Sequence, residues 1–210
     1  MHITLIGKSN IGKSHWSRRR LEKEMGYKRI CCDDLIEQKL GSELIKLGYH
    51  GIHDVAVWMG QPYDTQYPET SRKYLDCERE VMLDVIEQMK TSEKPLVIDT
   101  TGSVIYLEPE ITDQLKALSK VIYLEESEQF TAQLFERYLS YPKPVIWGDS
   151  FVPRAGEDPL EAVKRCFPEL LKFRSARYLA LSHLQIPYER HRAPGATWAK
   201  LIADAEQTRA

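Results

Sequence analysis

No stretch of about 18 consecutive apolar residues occurs in the sequence, so no membrane-spanning helix is expected and no membrane partner follows. Metal-cluster spacing is also missing: Cys31, Cys32, Cys77 and Cys166 form no Cys-x-x-Cys pair and have no histidine at ligand distance along the chain. The vicinal pair Cys31-Cys32 closes only through a strained bridge, which predicts reduced thiols. Charge of one sign is not in excess, since 29 Lys and Arg stand against 31 Asp and Glu for a net charge of -2. Without a basic field, nucleic acid is not expected as a partner, and the local run Arg18-Arg19-Arg20 reads as a solvated helix face. His2 and His15 flank the segment discussed next, but the histidines show no spacing that separates a catalytic role from a surface one. Repeats and low-complexity tracts are absent, and the chain opens on a strand-like run rather than on a charged and then apolar leader, which predicts a cytoplasmic protein. A length of 210 residues supports one substantial core and is short for two domains, so one domain over 1–210 is expected.

What the sequence does have is Gly7-Lys8-Ser9-Asn10-Ile11-Gly12-Lys13-Ser14, a complete phosphate-binding loop between the apolar run Ile3-Thr4-Leu5-Ile6 and a helix-like stretch over 13–25. In a loop of this type, glycine-permissive backbone turns successive N–H groups inward around a β-phosphate, and the helix that follows adds the positive end of its dipole. Lys13 is placed to reach the β- and γ-phosphates and Ser14 to ligate Mg²⁺, so ATP and Mg²⁺ are the expected cofactors.

Strand-like runs recur at 3–6, 29–32, 96–99, 121–124 and 185–188. Helical patterns fill 13–25, 34–47, 52–59, 71–90, 111–117, 127–139, 159–181 (with Pro168 inside) and 197–206. This alternation predicts an α/β three-layer sandwich, five parallel strands joined by right-handed crossovers, with ligands at the carboxyl ends of the strands. Two segments break the alternation: 48–72, rich in Tyr, His and Trp, is expected to bind substrate, and 140–161, rich in Pro and Gly, is expected to form a lid.

Three acidic residues fall at strand ends. Asp33 and Asp34 follow the second strand, where a carboxylate can take the proton of an attacking hydroxyl or hold a metal-bound water; Asp33 is the expected base, with a helix cap as its structural alternative. Asp99 ends the apolar run Leu96-Val97-Ile98 and is the expected metal-site carboxylate, followed by Thr100, Thr101 and Gly102 as acceptor contacts. Phosphoryl transfer also needs cations over the migrating group, and Lys143, Arg154 and Arg174 are the candidates among the late basic residues.

In this order the pieces resemble the shikimate kinases, within the nucleoside-monophosphate-kinase-like phosphate-loop kinases. The likeness runs through the phosphate loop, CCDDLIEQKLG, DTTGSVI at the family's triple-glycine turn, VIYLEES, KPVIW at the lid and FRSARY near the end. The resemblance implies that Asp33 contacts the acceptor hydroxyls, that Lys143 stands for a lid arginine, and that Arg174 binds an acceptor carboxylate. Some positions differ. The family's Asp-x-Asp is Cys31-Cys32-Asp33 here, so Asp34 or Asp99 must replace the metal-associated acid. The family's substrate arginine has no match in Lys73-Tyr74-Leu75-Asp76, with Arg72 nearby, and two glycines of the turn are Thr100 and Thr101. Loss of an arginine removes bidentate carboxylate recognition, so the expected acceptor is another small hydroxylated metabolite. The expected protein is an ATP-dependent phosphotransferase, monomeric or homodimeric. A nucleotide-driven module acting through a protein partner and a kinase acting on a free nucleoside stand as alternatives.

Overall fold

The structure is a computed structural model that describes residues 1–207; the last three residues of the expected domain, 208–210, lie outside the described residues. Five parallel strands form one sheet in the order β2-β3-β1-β4-β5, with helices on both sides. The strands are β1 (His2–Ile6), β2 (Lys28–Cys31), β3 (Leu96–Asp99), β4 (Ser119–Leu124) and β5 (Leu184–Ile186). The three middle strands are apolar on both faces, as helices on both sides require, and Leu5, Val97, Ile98, Val121 and Ile122 are wholly buried. Each such side chain contributes about 1.5–3 kcal/mol on removal from water.

Register decides which side chains meet. Cys31 of β2 pairs with Asp99 of β3, and Leu5 of β1 pairs with the same aspartate, so the strand ends that carry acids lie at one level of the sheet. The first helix is not uniform: α1 (Lys13–His15) widens into a π-helical stretch (Trp16–Glu22) and closes as α2 (Lys23–Met25). The wider turn buries Trp16, Ser17 and Leu21; Trp16 packs on Trp198, ring centroids 5.6 Å apart.

Downstream come α3 (Cys32–Lys46), α4 (Gly51–Met59), α5 (Tyr67–Thr91), α6 (Pro109–Leu118), α7 (Glu128–Ser140), α8 (Pro159–Leu181), α9 (Tyr188–His191) and α10 (Trp198–Gln207). Most follow the hydrophobic periodicity closely, and the differences have local causes. Helix α5 starts four residues before the expected 71, because Pro68 suits a first helical turn and the Thr70 hydroxyl satisfies the carbonyls of Met59 (2.7 Å) and Gln66 (3.0 Å). The irregular part of the 48–72 segment therefore shrinks to 48–50 and 60–66. Strand β5 stops at Ile186 because Pro187 has no N–H for the ladder, and Tyr188 opens α9 instead of ending the strand. Helix α8 runs through Pro168 without interruption. The 141–158 segment has no α-helix, only a short 3₁₀ turn (Gly148–Ser150). Among the described residues no helix is long and apolar enough to cross a membrane.

Candidate active site

The phosphate loop is shaped by two glycines. Gly7 has φ +141°, and a Cβ there would lie 2.8 Å from the Leu124 carbonyl oxygen at the end of β4. Gly12 has φ +116°, and its missing Cβ faces the Arg192 guanidinium at 3.5 Å. Both positions exclude other residues, one by contact with backbone and both by the left-handed conformation. Within the loop the Ile11 amide bonds back to the Lys8 carbonyl, and no side chain caps the helix head at Gly12. The Lys13 ammonium is buried and donates to the carbonyls of Gly7 (2.8 Å) and Lys8 (3.1 Å). Burial holds its pKa below that of an ordinary lysine, against the pull of Asp99 and Asp33, while Lys143 and Arg174 press it further down. Ser14 is exposed beside it, and the Lys8 side chain turns the other way, into an ion pair with Glu126.

Asp33 and Asp34 occupy the first turn of α3, whose cap position is Cys31. No side chain caps that helix, so Asp33 is not engaged as a cap, while Asp34 is exposed. Burial raises the Asp33 pKa above its usual value, opposed by Lys13 from the phosphate loop and Lys143 from the lid. One carboxylate therefore lies within electrostatic reach of both sides of the site. Cys31, at the family's acid position, is a poor substitute: burial pushes its thiol up to about 12, so it stays protonated at neutral pH. Asp99, beside it across the strand pair, is an oxygen donor already in use, because its Oδ2 accepts from Arg29 Nη2 (2.6 Å) and Ser17 Oγ (3.0 Å).

The turn at 100–102, where acceptor contacts are expected, is also committed internally. Thr100 Oγ1 donates to the Leu5 carbonyl at 2.7 Å, Thr101 Oγ1 bonds to Glu78, and the Gly102 carbonyl accepts from Tyr178 OH at 2.5 Å. Glu78 lies wholly buried on α5, takes a second bond from Ser103 Oγ (2.6 Å), and is raised by burial to about 7. Arg174 is 5% exposed, with Nη2 donating to the Ile146 carbonyl (2.8 Å) and its guanidinium 5.6 Å from the Tyr106 ring centre. Its Nε and the Tyr106 hydroxyl are buried without a protein partner. Arg72, the arginine beside the position of the missing substrate arginine, is exposed.

The 141–158 segment, expected to form a lid, is tied down over α4 and α5. Tyr67 OH donates to the Val145 carbonyl (2.9 Å) and accepts from the Trp147 amide (2.9 Å), while Tyr138 bonds to Gln61. The His53 ring lies at 2.8 Å from the Pro142 carbonyl. Of the aromatic residues of 48–74, Trp58, Tyr67 and Tyr74 are buried, Tyr49 is half-buried and Tyr63 is exposed. A cavity under the lid is lined by Lys8, Ser9, Asn10, Lys143 and Arg174, with Tyr138 and Phe167 on its apolar wall.

The structure thus brings Asp33, Asp99, Lys143 and Arg174 within electrostatic reach of Lys13. It does not bring Arg154 there: that residue is exposed in the turn before α8, where its amide bonds to Glu157 at 2.9 Å. Four residues of the neighbourhood carry no motif signal and come from the fold: Arg29, Glu78, Glu126 and Arg192, the last donating to the Asn10 carbonyl of the loop at 3.1 Å. A charged residue inside a strand, as at Arg29, or an acid inside an apolar helix face, as at Glu78, is the sequence trace each leaves.

Among the described residues no group of three or more His, Cys, Asp or Glu is arranged to hold a metal ion by itself. Ser14 and Asp99 are hard-oxygen donors, a set that fits Mg²⁺ arriving with phosphate oxygens and does not fit a metal caged by protein alone.

No protein-family model matches the chain. Shikimate kinases of Francisella tularensis subsp. novicida (strain U112) and subsp. tularensis (strain SCHU S4 / Schu 4) are 31% identical to it over 124 residues, which is 59% of this chain. The match spans 57% of the length of those relatives. Among solved structures, the shikimate kinase from Bacteroides thetaiotaomicron superposes with a TM-score of 0.60 at 13% identity, over 100% of this chain and 99% of that one. The shikimate kinase from Acinetobacter baumannii in complex with shikimate gives 0.60 at 20% identity, over 99% and 92%. The phosphate-loop motif, the strand order and these superpositions together give the chain the nucleoside-monophosphate-kinase-like fold of the shikimate kinases, with similarity to them in sequence as well.

Proposed function

We propose that the protein is an ATP-dependent phosphotransferase that moves the γ-phosphoryl group of ATP to a hydroxyl of a small metabolite. The observation that supports it most is Asp33, a carboxylate within electrostatic reach of Lys13 of the phosphate loop and of Lys143 at once. The loop amides and Lys13 hold the β- and γ-phosphates, fixing the phosphorus in line with an acceptor held between Asp33 and the lid. The acceptor oxygen forms its bond to the γ-phosphorus as the bond to the β–γ bridging oxygen breaks; the hydroxyl proton passes to Asp33, and the bridging oxygen leaves on ADP. A raised Asp33 pKa suits a proton acceptor better than an ordinary aspartate, and Lys143 with Arg174 stabilise the charge on the moving group. Ser14 and Asp99 are the residues for Mg²⁺, which when bound with the nucleotide neutralises phosphate charge.

The acceptor differs from shikimate in this reading. Leu75 and exposed Arg72 leave the α5 side without a guanidinium, while Thr100 and Thr101 fill the space that glycines leave in the family. Arg174 remains as a cation for one anionic group. A panel of hydroxylated metabolites, shikimate included, tests this by acceptor-dependent ADP release. Stimulation by a small alcohol other than shikimate is expected; release stimulated only by a protein would overturn the proposal.

A further inference from the structure

We propose that Glu126 is a positioning residue that fastens the phosphate loop to the helix carrying Arg174, an inference that rests on the phosphotransferase reading. Glu126 follows the end of β4 by two residues, and its side chain is 9% exposed. Three donors converge on it. Lys8 of the phosphate loop, with a side chain 4% exposed, forms an ion pair with Oε1. The Ser175 hydroxyl of α8 lies 2.6 Å from the same oxygen, and Tyr123 OH donates to Oε2 at 2.7 Å. Burial raises the carboxyl pKa, but Lys8, Ser175 and Tyr123 outweigh it and hold Glu126 below the ordinary glutamate value, so the group is charged.

The partners of Glu126 lead to both halves of the site. Lys8 sits between Gly7 and Ser9 in the phosphate loop. Ser175 is the next residue after Arg174, whose guanidinium holds the lid at Ile146. Tyr123 packs on Tyr178 at 5.3 Å between ring centres, and Tyr178 bonds the carbonyl of Gly102 in the acceptor turn. A carboxylate accepts from all three donors at once. A glutamine of the same shape lacks the charge that pairs with Lys8, and its amide nitrogen can only donate, so the Tyr123 hydroxyl must turn from donor to acceptor to keep its bond. Glu126→Gln therefore keeps the volume and removes the charge that fastens Lys8.

The test is hydrogen–deuterium exchange with and without Mg²⁺·AMP-PNP, together with steady-state kinetics, on the wild type, Glu126→Gln and the doubly neutral Lys8→Met/Glu126→Gln; the last guards against unfolding caused by a lone buried ammonium. In the wild type, nucleotide is expected to slow exchange both in the loop at 7–14 and in α8 at 174–178. In both variants the loop should still be protected while the α8 protection is lost. In Glu126→Gln, kcat should fall between about tenfold and a hundredfold with the KM for ATP nearly unchanged, as for a misplaced catalytic group. Retained α8 protection in the variants, or full recovery of kcat in the double variant, would reduce Glu126 to a structural counter-ion and overturn the inference. If nucleotide protects neither segment of the wild type, the phosphotransferase reading itself fails and takes the inference with it.

Discussion

Between Gly7 and Ser14, consecutive residues make the whole phosphate side of the proposed site, whereas its proposed acceptor side draws single residues from α3, α5, the turn after β3, the 141–158 segment and α8. The first is local: its conformation follows from two glycines with positive φ and a lysine that bonds to its own loop. The second is held by side chains far apart in sequence, such as Tyr67 on the lid backbone and Glu78 on Thr101 and Ser103. A local device tolerates little substitution within itself, while a distributed one can change its ligand by exchanging one wall. That contrast explains how a chain can keep an intact phosphate loop while its acceptor wall departs from that of the shikimate kinases.

The contrast breaks most visibly at Lys13. Lys13→Ala should lower phosphoryl transfer by at least about a thousandfold, with the far-UV spectrum unchanged, because the buried cation of the phosphate loop has no local replacement. On the acceptor side Asp33→Asn should lower kcat about a hundredfold while ATP affinity, measured by titration, moves less than a few fold; an equal loss in both would move Asp33 to the nucleotide. Gly7→Ala should destabilise the fold by about 3 kcal/mol in urea, since a Cβ 2.8 Å from the Leu124 carbonyl adds a clash to a strained φ.

Two buried glutamates sharpen the comparison through pH. On the acceptor side Glu78 has its folded pKa raised to about 7, so its contribution to stability is complete below the unfolded value of about 4.3 and is lost as pH rises toward 7. On the phosphate side Glu126 has a lowered pKa, so its contribution is present above the unfolded value and is lost as pH falls through the folded one. The span for Glu78 is of the order of 3 kcal/mol. Glu78→Gln should flatten the fall in Tm between about pH 5 and 8. A slope identical to wild type would place the titration elsewhere. The smallest effect is expected at the lid: Tyr67→Phe leaves the Trp147 amide and the Val145 carbonyl without their partner, for a loss of about 1–3 kcal/mol that thermal unfolding would read.

The same division governs how much the sequence discloses. The phosphate loop, the apolar strands and the acids at their ends are legible because each depends on neighbours in the chain, and the helix positions follow the same patterning, whereas the order of the strands in the sheet is set by tertiary packing. Pro187 shows the limit at an element boundary: it ends β5 and turns Tyr188 into a helix, a choice that periodicity alone does not express. Glu126 shows the limit in the site, since nothing near it in sequence says that Lys8 and Ser175, both distant along the chain, meet there. Arg154 shows the converse, a cation in the expected segment whose side chain stays exposed while only its backbone amide bonds to Glu157, which takes its ion pair from Arg165. Charged residues of the lid are read from sequence as a group, and only tertiary packing decides which of them face inward.

The most direct measurement is the fate of the terminal phosphate when the protein is incubated with [γ-³²P]ATP, Mg²⁺ and the metabolite panel. The account predicts label covalently attached to a small hydroxylated metabolite, absent with Lys13→Ala and strongly reduced with Asp33→Asn. Label recovered only as inorganic phosphate, at a rate that no metabolite alters, would contradict it.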